Sequence, residues 1–315
     1  MSLRPPVQTR ALRILGSDWL APDEPLAPRT SFRIGGPALL FASPPNAAAL
    51  RRALAFCADE GLVWFVMGRG TNLLVSDAGY NGMVIHMGKA WAWVRISGSA
   101  VEVGAGYPLP ALARKAADVG LSGLEFAAGI PGSTGGAIAM NAGAFGGSMA
   151  QVVGEVDCIL PSGEARSLTA AEMAFAYRHS RALAESMILT GARLILTPGN
   201  PDEIRRRMAD FQAQRKARQP LSAWSAGSVF RNPPGDAAGR LIEAAGCKGL
   251  RRGGALVSPK HANFIVNAGG ATAADVLALM REVQRRVEET FGVRLEPEIK
   301  LLGEFDAPTP AAPAP

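Results

Sequence analysis

Along residues 46–61, apolar side chains recur at Leu50, Leu54 and Cys57, the spacing of one helix face. Asn46 stands where a side chain can cap the first turn and Gly61 where the chain must leave it, so the pattern predicts a helix between them. The next apolar run, VWFVM at 63–67, is short and unbroken and leads into GRGTN, which reads as a strand ending in a loop. MVIH (83–86), VRI (94–96) and VEV (101–103) predict further short strands, and a helix follows from about Leu109 to Val119. Strands resume with EVDCIL (155–160) and with MILT and ARLIL (187–196). Asn200-Pro201 opens a helix with Ile204, Met208 and Phe211 on one face, ending before Pro220. Thr272 opens another, whose stripe of Val276, Leu279, Met280, Val283, Val287 and Phe291 runs to a stop at Gly292 and reads as core packing. Short strands mixed with helices argue for an α/β or α+β organisation.

One stretch breaks the periodicity. Nine of the 36 glycines fall in residues 120–147, which predicts a loop of special backbone there. The tail DAPTPAAPAP, by contrast, has nothing to bury, and disorder is expected over 306–315.

Composition narrows the chemistry. With 315 residues and 48% hydrophobic content the chain can build two or three cores. No apolar run is long enough to span a membrane, and prolines stand near the start where a signal peptide would be apolar, so a soluble, cytoplasmic protein is expected. Cys57, Cys158 and Cys247 lie far apart, which predicts buried thiols rather than a disulfide framework. His86, His179 and His261 are equally scattered, so no metal site is expected. The net charge of +6 suits an anionic ligand, but the arginines are dispersed and aromatics are only 6%, which argues against nucleic acid. The run Arg205-Arg206-Arg207 reads as a solvated helix face.

Two loops could approach a phosphate closely. Gly68-Arg69-Gly70-Thr71-Asn72 follows a strand, and its glycines let backbone N–H groups turn inward. It lacks the third glycine and following helix of a dinucleotide fingerprint and the lysine of an ATP loop, so taken alone an ordinary tight turn fits equally well. In AGIPGSTGGAIAMNAGAFGG (128–147), small residues at Gly132, Ser133, Gly135, Gly136 and Ala137 would let a flat ring or a pyrophosphate touch the main chain, with Ser133, Thr134 and Asn141 as neutral donors. SAGSVFRNPP (225–234) is not a hydrolase elbow, because Val229 and Phe230 follow Ser228 where that turn needs glycine.

The order of these motifs, RTSFRIGGPA, GRGTNLLVSD, EFAAGIPGSTGGAIAMNAGAFG, YRHSR, SAGSVFRNPP and FGVRLEPEIKLLG, resembles the UDP-N-acetylenolpyruvoylglucosamine reductases, the MurB family of peptidoglycan synthesis, from about Arg29 to Gly303. The resemblance implies an α+β chain: an FAD-binding fold of the vanillyl-alcohol-oxidase (PCMH) type with two subdomains (1–90 and 91–200), then a substrate-binding domain at 201–303 whose last strand can return to the FAD domain. It implies non-covalent FAD, NADPH as co-substrate, and reduction of the enolpyruvyl ether of a UDP-sugar to UDP-N-acetylmuramate with hydride from the flavin N5. Since no tyrosine lies between Tyr177 and Ser228, the shorter, type II variety without a tyrosine lid is expected. A flavin oxidase or dehydrogenase of the same fold, acting on another small alcohol, is the alternative reading.

Carried over residue by residue, the resemblance assigns Arg178 and Glu298 to stabilising the enol or enolate and Ser228 to giving the proton, with Glu296 as a surface acid. Gly68 to Asn72, together with Gly129, Pro131, Gly132, Ser133, Gly135, Gly136, Ala137, Asn141, Ala142 and Gly143, would hold the flavin. Tyr177, Arg215, Arg218, Asn232, Lys260 and His261 are candidates for the substrate, with the two arginines facing its phosphates. A monomer is expected.

Overall fold

The computed structural model describes residues 6–305; the tail expected to be disordered (306–315) and the start read against a signal peptide (1–5) lie outside them. The chain divides into two compact units, one of residues 6–24, 40–71 and 82–221, the other of 25–39, 72–81 and 222–305.

In the first unit, helix α1 (Val7–Leu15) lies on α2 (Ala47–Glu60), where Arg10 pairs with Glu60. α2 forms as its pattern requires: the Asn46 carboxamide accepts from the Ala49 N–H at 2.9 Å, and Gly61 leaves the helix in the left-handed region at φ 61°. Strand Trp64–Met67 pairs in parallel with Tyr80–His86, register Trp64 to Met83, in a four-stranded sheet. A second sheet is antiparallel throughout, its strands in the order Ala165–Thr169, Val153–Ile159, Ile188–Ile195, Ala100–Gly104 and Val94–Ser97. One face of that sheet buries Val101, Val103, Val156 and Leu194 in the core that also takes Leu109, Leu112 and Ala113 of α3 (Leu109–Asp118).

The glycine-rich stretch is more ordered than a loop. It holds a 3-10 turn at Glu125–Ala127, the short helix α4 (Thr134–Ala139) capped by Ser133, and a hairpin of Gly143–Ala144 with Gly147–Ser148. α5 (Arg181–Ala184) precedes strand Ile188–Ile195, and α6 (Pro201–Arg218) closes the unit.

The boundary expected at residue 201 falls instead at 221/222. α6 stays with the first unit because Ile204 and Met208 sit in its core and because Arg207 reaches Glu125. Glu125 is 8% exposed and accepts from the Gly123 N–H at 2.7 Å, the Ser122 hydroxyl at 2.8 Å and Arg207 Nη2 at 2.7 Å. Burial pushes its carboxyl up, yet these donors together hold it below the ordinary value. A carboxylate depressed in the folded state adds stability above its unfolded pKa of about 4.3, and loses it as pH falls through the folded value. Glu125→Gln is therefore expected to cost about 1–3 kcal/mol near neutral pH, and less near pH 3. Thermal melts at the two pH values check this; an equal loss at both would remove the charge from the explanation.

In the second unit, α7 (Ala238–Ala244) and α8 (Ala273–Phe291) enclose a core with the three-stranded antiparallel sheet of Arg251–Arg252, Ala255–Val257 and Ile265–Asn267. The expected stripe of α8 is buried from Val276 to Val287, but its last expected member, Phe291, is exposed one residue before Gly292 ends the helix at φ 68°. Phe32, Ile34 and Leu74 come from distant sequence to fill this core. Strand Lys300–Leu302 pairs in parallel with Leu73–Val75 of the same unit. Cys57, Cys158 and Cys247 are all buried thiols, and burial pushes Cys57 up to about 12. No helix among the described residues is long and apolar enough to cross a membrane.

Candidate active site

Two loops of the first unit meet at their backbones. Thr71 donates its hydroxyl to the Pro131 carbonyl at 3.3 Å, and a Cβ on Gly68 would come within 2.2 Å of Ser133 Oγ. GRGT and the 129–137 segment thus form one surface, with little side chain between them. Several of its glycines are small because the protein itself fills the space. A Cβ on Gly135 would meet Ala105, and one on Gly129 would meet Cδ of Arg215 at 2.7 Å. Gly136 is different: it is exposed, with nothing nearer than Ser133 Oγ at 3.4 Å. Two of the expected donors are also otherwise engaged. The Thr134 hydroxyl donates to the Tyr107 carbonyl at 2.9 Å, while Asn141 donates to the Ala176 carbonyl at 2.9 Å and accepts from the Ala150 N–H at 3.0 Å.

Asn141 ties this surface to Tyr177 and Arg178. The half-buried Arg178 directs Nη2 to the Gly143 carbonyl at 3.4 Å, with its guanidinium 5.0 Å from the Tyr177 ring centroid. Asn141, Phe145 and Arg178 all adopt positive φ (42°, 52° and 54°). Asparagine tolerates this region, but for phenylalanine and arginine it costs of order 1–3 kcal/mol each, a strain that gathers at functional sites.

Ser228 and Glu298 are set by one ladder in the second unit. Gly227 turns the chain at φ 79°, and Val229 then donates to the Asn263 carbonyl at 2.9 Å while its own carbonyl accepts from the Glu298 N–H at 2.7 Å. The buried Asn263 side chain closes the ladder, accepting from the Phe230 N–H at 2.9 Å and donating to its carbonyl at 2.8 Å. Sequence reading missed Asn263; its only signal was an amide inside the apolar run HANFIVN. Asn72, expected at the flavin, donates its amide to the Glu298 carbonyl at 3.1 Å. Glu296 points outward and pairs with Arg231 at 3.7 Å, as a surface acid should.

A model of FAD binding domains matches residues 38–169, and a model of the C-terminal domain of UDP-N-acetylenolpyruvoylglucosamine reductase matches 219–302. The UDP-N-acetylenolpyruvoylglucosamine reductase of Heliobacterium modesticaldum is 48% identical over 297 residues, 94% of this chain and 94% of that relative. The chain belongs to this reductase family. Its Methylorubrum extorquens counterpart is 46% identical, covering 92% of this chain and 93% of its own. The crystal structure of the Thermus caldophilus reductase, 40% identical, superposes with a TM-score of 0.79 over 90% of this chain and 98% of that one. The C-terminal match starts beside the observed boundary at 221/222, and α6 of this reductase falls between the two matches.

The first unit of the reductase fits FAD. Buried polar atoms without a partner are rare, and among the described residues Arg215 Nε and Gln219 Oε1 are two of them. The Arg215 shaft lies on Gly129, and burial lowers its guanidinium from the usual value. The open Arg215 donor beside the small-residue surface suits a cofactor that carries a diphosphate. Arg215, expected at the substrate phosphates, runs along a flavin-loop glycine with its Nε open. Arg218 is exposed. In the second unit Asn232 spends its carbonyl oxygen on the Ala238 N–H at 3.0 Å, at the start of α7. His261 accepts from the Asn263 N–H on Nδ1 at 3.2 Å, and burial lowers its pKa, which favours the neutral ring.

Proposed function

We propose that Arg178, Ser228 and Glu298 carry the chemistry of this flavin-dependent reductase, which takes the enolpyruvyl ether of UDP-N-acetylglucosamine to UDP-N-acetylmuramate at the expense of NADPH. The observation that supports these roles best is the Asn263 ladder, because it fixes a hydroxyl and a carboxyl on adjacent backbone segments. Bound FAD supplies the hydride that NADPH provides. Arg178 holds the substrate carboxylate with its planar fork and stabilises the negative charge that grows there. Ser228 gives a proton to the carbon beside that carboxylate, and Glu298 orients the enol. One hydride and one proton add across the double bond, and the lactyl ether results.

Tyr177, Asn232 and His261 join the substrate-facing groups in this reading, with Arg215, Arg218 and Lys260 near the phosphates. In this reading the protein works in the cytoplasm, where nucleotide sugars and NADPH are found, and acts as a monomer.

The test is one spectrum and one rate. The purified protein is expected to be yellow with flavin absorbance, to bleach with NADPH without air, and to regain colour only on adding the enolpyruvyl UDP-sugar. Rapid recovery with oxygen and none with that sugar would favour an oxidase.

A further inference from the structure

The turn of the Gly143–Ser148 hairpin holds an aromatic residue where its backbone asks for glycine or asparagine. Phe145 and Gly146 occupy the turn positions at φ 52° and 80°, the left-handed pair that tight hairpins need, and the Phe145 side is 40% exposed. The hairpin's close approaches are met by glycine, as a Cβ on Gly147 would strike the Phe126 ring at 2.5 Å. A strained, half-exposed phenylalanine breaks the local rule, and such breaks mark places where a side chain serves a site.

The ring of Phe145 lies on Phe211 of α6, with centroids 4.3 Å apart and planes 1° from parallel. The same hairpin presents the Gly143 carbonyl that accepts from Arg178 Nη2. α6 is anchored in the core through Ile204 and Met208, so the stack ties the two-residue turn to a buried helix. We infer that Phe145 and Phe211 form an aromatic clasp that sets the direction of the Arg178 guanidinium through the Gly143 carbonyl. They are positioning residues. This rests on the role given to Arg178 above.

The experiment uses the FAD-loaded enzyme and separates two half-reactions by stopped flow, flavin reduction by NADPH and flavin reoxidation by the enolpyruvyl UDP-sugar. Phe211→Ala is expected to slow reoxidation at least tenfold, since a misplacement of about 1 Å can cost up to roughly a hundredfold. FAD content and reduction by NADPH stay unchanged. Phe211→Tyr, which keeps the stack, restores the rate; Phe211→Leu, which keeps only apolar bulk, does not. Should Phe211→Ala fail to fold, Phe145→Gly removes the ring and the backbone strain together, and the same slowing is expected.

Normal reoxidation in Phe211→Ala or Phe145→Gly overturns the clasp, as does equal slowing of both half-reactions. Arg178→Ala serves as the reference. A slow Arg178→Ala beside a normal Phe211→Ala sinks the clasp alone, whereas a normal Arg178→Ala sinks the role of Arg178 and the clasp with it. In the Arg178→Ala background, Phe211→Ala is expected to add no further slowing.

Discussion

Replacing Ser228 by alanine leaves flavin reduction by NADPH near its normal rate and slows the reduction of the enolpyruvyl substrate by about two orders of magnitude or more, the scale of a lost general acid. The split follows from what the hydroxyl can reach. Reduction of the flavin asks nothing of a proton donor to the substrate carbon, so only the second half-reaction feels its loss. The substitution is small, and the backbone around it is held by Val229 and Phe230 on Asn263, not by the Ser228 side chain. The fold should therefore survive, and a melt beside the stopped-flow traces checks that. Equal slowing of both half-reactions would remove Ser228 from the role of donor.

Arg178→Lys is expected to lower the rate of substrate reduction by about two to three orders of magnitude, the range for losing a preorganised charge contact in a transition state. Charge is kept, so a simple electrostatic attraction for the carboxylate would survive the change. What lysine lacks is the planar fork that can serve a carboxylate and the Gly143 carbonyl together. The loss should therefore fall mainly on kcat, with a smaller change in KM. A lysine variant that loses affinity but keeps kcat would mean that Arg178 binds the substrate without stabilising the charge that develops on it.

Local order was legible in the sequence. The caps at Asn46 and Thr272, the stops at Gly61 and Gly292 and the apolar stripes of α2, α6 and α8 all rest on contacts within a few residues, and the structure places them as their pattern requires. The two glycine-rich loops and the segments bearing Arg178, Ser228 and Glu298 were likewise visible as motifs, because motif residues are close in sequence.

Which chain segments share a core followed from folding, because burial joins residues without regard to their order. Phe32, Ile34 and Leu74 belong with α8, and α6 belongs with the segments before it, which no periodicity reports. The reason behind the glycines also came from the fold: Gly135 is small for Ala105 and Gly129 for Arg215, so their neighbours lie far away in sequence. Asn263, Phe145 and Phe211 are ordinary residues in ordinary runs until the chain folds. Periodicity, caps and motifs were enough for α2, α3, α6 and α8, for several strands and for the family of chemistry, but not for α1, α4, α5 or α7; the contacts that hold the reacting groups in place are long-range, and packing alone selected them.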